Sequence, residues 1–124
     1  MIAIGETADK GRGVFAWTHI AAGTLIEEAP VVVVPAAQIE HLRHTVLRDY
    51  YFEWGPDWTE AALLLGTFSL CNHSSQPNAV YVRNSEQMMI AFFALRDIAP
   101  GEEITTNYNG DPGSQSPIIF SPES

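Results

Sequence analysis

"LCNHSSQPN" (Leu70–Asn78) follows "EAALLLGTFS", an apolar run typical of buried core, and replaces it abruptly with polar and turn-forming residues. A simple chain reversal needs fewer polar groups, because one or two Gly, Pro, Asn or Asp residues are enough. The stretch therefore indicates one of two things. Asn72 and His73 either satisfy backbone groups around an irregular turn, or they belong to a binding site.

Two other stretches combine polar residues or glycines at places where strands are predicted. "KGRGVF" (Lys10–Phe15) places Gly11 and Gly13 on either side of Arg12, just before a strand. Glycines let the backbone approach a ligand closely, although a lone G-x-G is also typical of a turn. "GEEITTNY" ends at Tyr108, which either packs at a sheet edge or presents its hydroxyl to a substrate.

The composition limits the classes of partner. The chain has 124 residues, enough for one domain, and a net charge of −9. This charge disfavours nucleic acid and attracts a basic protein or peptide, or it simply maintains solubility. No apolar run approaches the roughly 20 residues that span a bilayer, and the start does not resemble a signal peptide. We expect an intracellular protein, cytoplasmic or nuclear depending on its host, with no membrane partner.

The side chains most often used for nucleophilic or metal chemistry do not form a convincing set. Cys71 is the only cysteine, so no internal disulfide forms, and its apolar neighbours predict burial, which raises a thiol pKa. His41 and His44 are three apart on a predicted helix without a third ligand. We predict neither a cysteine nucleophile nor a metal site.

The hydrophobic pattern predicts a mostly-β domain. Strands are expected in "GVFAWTHI", "TLIEEAPVVVVP" and "GEEITTNY", and a hairpin joins "NAVYVR" to "MMIAFFALRDI". I-A-x-G-x-x-I occurs at residues 20–26 and again at 98–104, which indicates a turn and strand used twice. Two helices are predicted. One has about four turns and an apolar face, ended by Gly55-Pro56, and a short one is capped by Thr59; the apolar face comprises Ile39, Leu42, Val46, Leu47 and Tyr50.

The three stretches in this order resemble the SET-domain family of protein lysine methyltransferases. The resemblance covers about residues 10–110, and its paired motifs are N-H-S-x-x-P-N and G-E-E-I-T-x-x-Y. The small size is similar to minimal viral and bacterial members. The resemblance implies a β-clip fold of several small curved sheets with one or two helices. In this fold, "EITTNY" passes beneath "NHSSQPN" in a knot-like crossing. Residues 1–110 would form the SET domain, and residues 111–124 a tail closing the active site.

The resemblance also implies an activity, the transfer of a methyl group from S-adenosyl-L-methionine to a lysine of a basic protein or peptide. Tyr108 would be the catalytic tyrosine, and Tyr50 and Thr106 would line the lysine channel. No strong base is required, but the lysine amine must lose its proton, and an aromatic channel lowers its pKa. The cofactor-binding residues would be Lys10, Gly11, Arg12, Gly13, Asn72, His73 and Tyr108.

Three departures from the family pattern bear on this interpretation. Ser75 replaces a cysteine, and Asn107 replaces the aspartate that often precedes the catalytic tyrosine. The residues after Tyr108 contain no cysteine-rich zinc segment and no nearby aromatic. We hypothesise that Phe120, with Ile118 and Ile119, folds back over the cofactor or onto a second subunit in a homodimer.

Two other functions remain open at this stage. The first is a SET-like module that binds a basic peptide or the cofactor without turnover. The second is a plain β-rich interaction module. Intact Asn72, His73 and Tyr108 favour the enzyme, whereas the missing aromatic closure favours the inactive module.

Overall fold

Short strands in two sheets account for most of the regular structure in residues 1–108, the part of the chain that the computed structural model describes. The strands in this range are β1 (Ile2–Glu6), β2 (Arg12–Ala16), β3 (Leu25–Val34), β4 (Tyr51–Trp54), β5 (Glu60–Leu64), β6 (Asn72–His73), β7 (Ala79–Asn84), β8 (Met89–Ala94) and β9 (Glu103–Thr106). Their order is β1-β2-β9-β6 in one sheet and β4-β5-β3-β8-β7 in the other. The prediction of a mostly-β domain built from small sheets is therefore confirmed.

The longest strand, β3, has two successive partners on its two edges. It pairs with β8 over Leu25–Pro30 and with β5 over Val31–Val34, antiparallel in both cases. Pro30 lies where the pairing changes, so its missing N–H removes little from either ladder. The five-stranded sheet is thus two smaller ladders joined at a proline.

The two edge strands of this sheet approach each other through their side chains. Arg83 Nε on β7 donates to the carbonyl oxygen of Glu53 on β4 at 2.8 Å. The Phe52 and Tyr81 rings meet edge to face, with their centroids 5.0 Å apart. The sheet therefore curls around an apolar interior, and its most deeply buried side chains there include Phe68, Ile90 and Phe92.

The repeated I-A-x-G-x-x-I sequence forms two equivalent structures that face each other. Ile20 and Ile98 exchange both backbone hydrogen bonds, at 2.9 and 2.8 Å. Gly23 and Gly101 have φ of 84° and 85°, a region that favours glycine. Each copy forms a turn that leads into a strand, β3 or β9, as the sequence predicts.

The predicted four-turn helix is wrong. The segment contains 3-10 turns at Ala36–Gln38 and Val46–Asp49, with a single α-helical turn, α1 (Ile39–Leu42), between them. Thr45 ends the helix because it adopts extended backbone angles, and its hydroxyl bonds both Leu42 O and Leu47 N. Of the predicted apolar face only Leu42 is buried, and Val46 is 71% exposed.

The second predicted helix is also wrong, because "EAALL" forms strand β5. Thr59 does not cap a helix: its hydroxyl donates to Pro56 O within a 3-10 turn, Pro56–Trp58. β5 lies between β3 and β4, where both faces are largely covered, so its sequence is apolar throughout rather than alternating. Gly55 and Pro56 form the turn between β4 and β5 instead of ending a helix.

The packing of the last strand against the Leu70–Asn78 loop is as predicted. β6 pairs in parallel with β9, with Asn72 opposite Thr105 and His73 opposite Thr106. Ser74 N donates to Thr106 O at 2.9 Å and extends this pairing. Since β2 pairs with the other edge of β9, strand β9 lies between β2 and the loop.

Asn78, the last residue of the loop, fixes β9 in this position. The side chain is 2% exposed; its Oδ1 accepts from Thr105 N at 2.9 Å and its Nδ2 donates to Glu103 O at 2.8 Å. The Asn78 amide thus bonds two backbone groups of β9 that a neighbouring strand would otherwise bond. One buried amide thus connects the loop to the strand that leads to Tyr108.

We predict that Asn78→Ala lowers the free energy of unfolding by about 2–4 kcal/mol, because it leaves two partly buried backbone groups without partners. Asn84→Ala is the matched control, since its hydrogen bonds are exposed and its loss should be below about 1 kcal/mol. Urea unfolding followed by fluorescence measures both. Equal, small losses in the two variants would contradict the role of Asn78.

Candidate active site

Tyr108 is held by contacts from two separate parts of the chain. Its backbone N–H donates to His73 Nδ1 at 3.0 Å, and its hydroxyl donates to Cys71 O at 2.5 Å. On the other side, the Tyr81 hydroxyl of β7 donates to the Tyr108 carbonyl oxygen at 3.1 Å. The crossing of loop and strand therefore determines both where the phenol lies and where its proton points.

The Tyr108 phenol stays protonated. Burial raises the pKa of Tyr108 well above its usual range, and the nearby Cys71, Tyr50, Glu103 and Asp49 add to this shift electrostatically. Its only proton is directed at Cys71 O, so any further hydrogen bond to the hydroxyl is one that its oxygen accepts. The hydroxyl can accept a hydrogen bond or lie beside a positive charge, but it does not act as a strong base.

The single cysteine is buried, as predicted. Burial raises the pKa of Cys71 to about 12, so the thiolate is absent at neutral pH. Its thiol donates to Ile104 O at 3.3 Å. Cys71 contributes to the site through its backbone carbonyl rather than its sulfur.

The amide of Asn72 has a fixed orientation. Its Nδ2 donates to Arg12 O at 3.1 Å and to Glu103 Oε2 at 2.8 Å. Both partners are acceptors, so rotation of the amide would place oxygen against oxygen. With both amide hydrogens used and no donor within residues 1–108 bonded to Oδ1, Asn72 offers an acceptor to a ligand.

The two glycines of "KGRG" have different structural roles. A β-carbon on Gly13 would lie 2.7 Å from Glu103 Oε2 and 2.9 Å from Asn72 Nδ2, so only glycine leaves room for that pair. Gly11 has φ of 72° with open space beside it. Thr7 stabilises the turn, because its backbone N–H and its hydroxyl both donate to Gly11 O.

His73 is a neutral imidazole with its acceptor nitrogen directed at Tyr108. Partial burial and then the positive charge of Lys10 lower the pKa of His73 below 6.5. The Lys10 ammonium lies close by, donating to His73 O at 3.2 Å. The geometry thus brings Lys10, Arg12, Asn72, His73 and Tyr108 together around Gly13, as a shared site requires.

The two residues predicted to line the lysine channel, Tyr50 and Thr106, differ in their exposure to solvent. Tyr50 is 38% exposed at the end of the second 3-10 turn, close enough to influence Tyr108 electrostatically. Thr106 is 1% exposed, and its hydroxyl lies 4.0 Å from Cys71 Sγ. Thr106 is therefore buried beside Cys71, and its role in the channel stays a prediction, as does that of Tyr50.

Sequence reasoning missed three side chains that build the site. Glu103 orients Asn72, Asn78 fixes β9, and Tyr81 holds the Tyr108 carbonyl. Asn78 stood within the polar stretch, so its position in the motif was a usable signal. Tyr81 gave none beyond strand alternation, because its partner is a backbone atom 27 residues away.

The sequence predictions also concern a metal site, a membrane span and the C-terminal tail. Within residues 1–108, no three His, Cys, Asp or Glu side chains lie close enough together to hold a metal ion. No helix in this range is long and apolar enough to cross a membrane. The proposed closing tail, with Ile118, Ile119 and Phe120, lies outside the described residues.

Comparison with known proteins identifies the family. A SET-domain profile matches residues 11–109. The histone-lysine N-methyltransferase of Schizosaccharomyces pombe specific for H3 lysine-37 is 36% identical over 106 residues, which cover 85% of this chain and 71% of that protein. The H3 lysine-36 specific enzyme of Saccharomyces cerevisiae is 32% identical over 124 residues, but this chain spans only 16% of its length.

Solved structures share the fold. A candidate histone methyltransferase from Plasmodium falciparum aligns with a TM-score of 0.69 and 26% identity, over 90% of this chain and 99% of that one. A Chaetomium thermophilum Polycomb Repressive Complex 2 chain aligns with a TM-score of 0.73 and 21% identity, over 87% of this chain and 15% of that one. Because the SET profile spans most of the sequence and the relatives that share it are lysine methyltransferases, this chain belongs to the SET-domain family of protein-lysine N-methyltransferases.

Proposed function

We propose that this protein transfers a methyl group from S-adenosyl-L-methionine to a lysine in a basic protein segment, with a histone tail as the first candidate. The observation that carries the proposal is the position of the Tyr108 hydroxyl. It is neutral and bonded to the carbonyl of Cys71, the residue directly before Asn72 in the sequence. This arrangement suits methyl transfer to an amine, which needs alignment rather than a strong base.

The residues around Gly13 fit the chemistry of this cofactor. Asn72 Oδ1 can accept from its ammonium group, Lys10 can pair with its carboxylate, and the turn around Gly11 leaves space for its larger parts. Glu103 adds a negative charge beside a ligand that carries a sulfonium. When bound, the cofactor supplies a methyl carbon that leaves its sulfur for the lysine nitrogen.

Tyr108 orients the acceptor amine and stabilises positive charge. Its proton is held by Cys71 O, so towards a substrate the oxygen can act only as an acceptor. An oxygen fixed in this way can accept from the lysine amine and lie against the methyl group. The Tyr81 hydroxyl limits movement of the Tyr108 backbone, so the orientation is set from both ends.

The lysine must enter without its proton. A free lysine, with a pKa of about 10.4, is almost entirely charged at neutral pH. Tyr81 bonds the Tyr108 carbonyl, and the Phe52 ring packs on Tyr81. A lysine bound beside such aromatic side chains would have a lowered pKa, because they disfavour the ammonium. The proton is lost to solvent before transfer, so none of this chain's own groups has to accept it.

The substrate class follows from charge and from the relatives. The net charge of −9 favours a basic polypeptide over nucleic acid. The names of the relatives specify histone H3, which makes an H3 tail and a nuclear or cytoplasmic location the first to test. Closure by the tail, a homodimer formed through it and the number of methyl groups added stay predictions.

We predict that Tyr108→Phe abolishes label transfer from radioactive S-adenosylmethionine to histone H3 while keeping cofactor binding within about threefold. The reason is that the lost hydroxyl orients the amine, whereas the groups proposed for the cofactor remain. Tyr51→Phe is the matched control, because Tyr51 lies on β4 and has no part in the site. Scintillation counting measures transfer, and calorimetry measures binding.

Three results separate the alternatives. Transfer lost only in Tyr108→Phe supports the enzyme. Cofactor binding by the wild type without transfer to any basic protein supports the inactive module. Undiminished transfer in Tyr108→Phe would remove Tyr108 from the catalytic role.

We predict that stability falls as the pH drops below 6.5 and that His73 causes part of this fall. The folded protein lowers the pKa of His73, so the unfolded chain binds its proton first. The stabilisation is therefore complete above 6.5 and is lost as the pH falls through the lowered pKa. His73→Asn keeps an acceptor for Tyr108 N but does not titrate.

Urea unfolding of both proteins across this pH range measures the effect. The wild type should lose more stability than His73→Asn between neutral pH and the lowered pKa of His73. Parallel curves for the two proteins would mean that His73 does not accept from Tyr108 in solution.

A further inference from the structure

Glu27 on β3 is a partly buried carboxylate with two backbone partners far along the chain. Its Oε1 accepts from Phe68 N at 2.9 Å, and its Oε2 accepts from Thr67 N at 3.1 Å. Hydrogen bonds from an N–H group to a carboxylate are roughly twice as strong as those between neutral groups. Both oxygens of Glu27 therefore hold one short segment of backbone.

The segment that Glu27 holds is a 3-10 turn, Thr67–Leu70, and Cys71 follows it directly. The first N–H groups of a helical turn have no partners within that turn. The residue before the turn, Gly66, has no side chain that could cap them. Glu27 therefore caps the turn from a different strand.

The contact between Glu27 and the turn is closely packed on two sides. A β-carbon on Gly66 would lie 2.8 Å from Glu27 Oε1 and 2.8 Å from Ala29 Cβ, so the carboxylate lies where only glycine leaves room. Phe92 is opposite Glu27 in the β3–β8 ladder, and its ring centroid lies 4.3 Å from that of Phe68. One pair of residues in that ladder thus contacts the turn through a carboxylate and a ring.

The turn also fixes the carbonyl group that accepts from the Tyr108 hydroxyl. Cys71 N donates to Phe68 O at 3.1 Å, and Cys71 O accepts from the Tyr108 hydroxyl at 2.5 Å. Burial is the main cause of the raised pKa of Cys71, and the charge of Glu27 is close enough to add to it. A continuous series of hydrogen bonds and covalent bonds therefore joins Glu27 to the Tyr108 hydroxyl.

We propose that Glu27 is a positioning residue for methyl transfer, which holds the turn Thr67–Leu70 and thereby sets, through the Cys71 carbonyl, where the Tyr108 hydroxyl lies. The inference rests on the proposed function for the reaction, whereas the contacts themselves do not depend on it. A displaced Cys71 O would redirect the phenol proton and move the oxygen that the lysine amine meets. A misplacement of about 1 Å can lower a rate by on the order of 100-fold.

Two substitutions weaken the contact from its two ends. Glu27→Gln keeps the shape of the side chain but offers one acceptor to two N–H groups, so its NH2 group faces a donor. Thr67→Pro removes one of those N–H groups and leaves the carboxylate. Proline is tolerated at the first position of a helical turn, and Gly66 before it has the extended backbone that a following proline requires.

Two further variants serve as controls. Glu28→Gln makes the same chemical change at the exposed neighbouring residue of the same strand. Val31→Ala removes part of a buried side chain from β3 and controls for lost stability alone. Unfolding midpoints show which variants are folded at the temperature of the assay.

Steady-state kinetics with labelled S-adenosylmethionine and histone H3 measure kcat and the KM of each substrate. We expect Glu27→Gln to lower kcat by about tenfold or more while both KM values stay within about threefold, because the binding groups remain. Thr67→Pro should lower kcat by less, since the bond from Phe68 N to Glu27 remains. Both controls should keep kcat within about twofold.

Carbon NMR reports on the Tyr108 hydroxyl without any turnover. Protein labelled at the tyrosine carbon that bears the hydroxyl gives one signal for each of the four tyrosines, and Tyr108→Phe identifies the Tyr108 signal by its absence. We expect this signal to move in Glu27→Gln, and by less in Thr67→Pro, because the bond to Cys71 O changes. It should stay in place in both controls.

The two measurements separate this inference from the proposed function. A Tyr108 signal that moves in Glu27→Gln, while the wild type transfers no methyl group, supports the positioning role and counts against the enzyme. Turnover by the wild type, with kcat and the Tyr108 signal unchanged in Glu27→Gln, overturns the positioning role and leaves the enzyme. An equal fall of kcat in Val31→Ala, or a change confined to KM, would also overturn it. If Glu27→Gln does not fold, Thr67→Pro decides by the same criteria.

Discussion

The parallel pairing of β6 with β9 is the constraint on which the site depends. Two residues of a loop hydrogen-bond to the last strand, and this brings a segment near residue 72 against one near residue 106. The pairing is too short to be stable alone, and Asn78 supports it with bonds to Glu103 and Thr105. Every contact that positions Tyr108 from the loop side follows from this crossing.

The site keeps its central titratable groups uncharged and places charges at its edge. Cys71 and Tyr108 have raised pKa values and His73 a lowered one, mainly because burial disfavours the charged form of each. At the edge of the site, Glu103 accepts from Asn72 and Lys10 donates to the His73 carbonyl. Methyl transfer from a cation to a neutral amine suits such a site, since orientation and a fixed acceptor matter more than acid or base strength.

The strands were predicted correctly where both the residue types of the strand and the residues of the adjoining turn favour a strand. The hairpin between β7 and β8, the strand after each I-A-x-G-x-x-I turn and the end of β3 at Pro35 follow from local signals. The helices failed for two physical reasons. Thr45 breaks an apparently helical pattern because its hydroxyl bonds the backbone of Leu42 and Leu47, and β5 is apolar because it is buried on both sides. The periodicity of apolar residues alone does not distinguish either of these two segments from a helix.

The candidate site was predictable as a set of residues but not as a set of contacts. The motif pair pointed to Asn72, His73 and Tyr108, and the structure brings them together. That Glu103 orients Asn72, or that His73 bonds the Tyr108 backbone, depends on atoms more than 30 residues apart in sequence. No local pattern specifies such distances.

The hydrogen bond from Tyr108 N to His73 Nδ1 is the most direct test of the crossing as the basis of the site. Nitrogen NMR on uniformly nitrogen-labelled protein measures the protonation of His73 Nδ1 and its coupling to the Tyr108 amide nitrogen. The account predicts an unprotonated Nδ1 at neutral pH, coupled to that amide, with the coupling lost as His73 titrates below pH 6.5. A protonated Nδ1 at neutral pH, or an uncoupled Tyr108 amide, would contradict it.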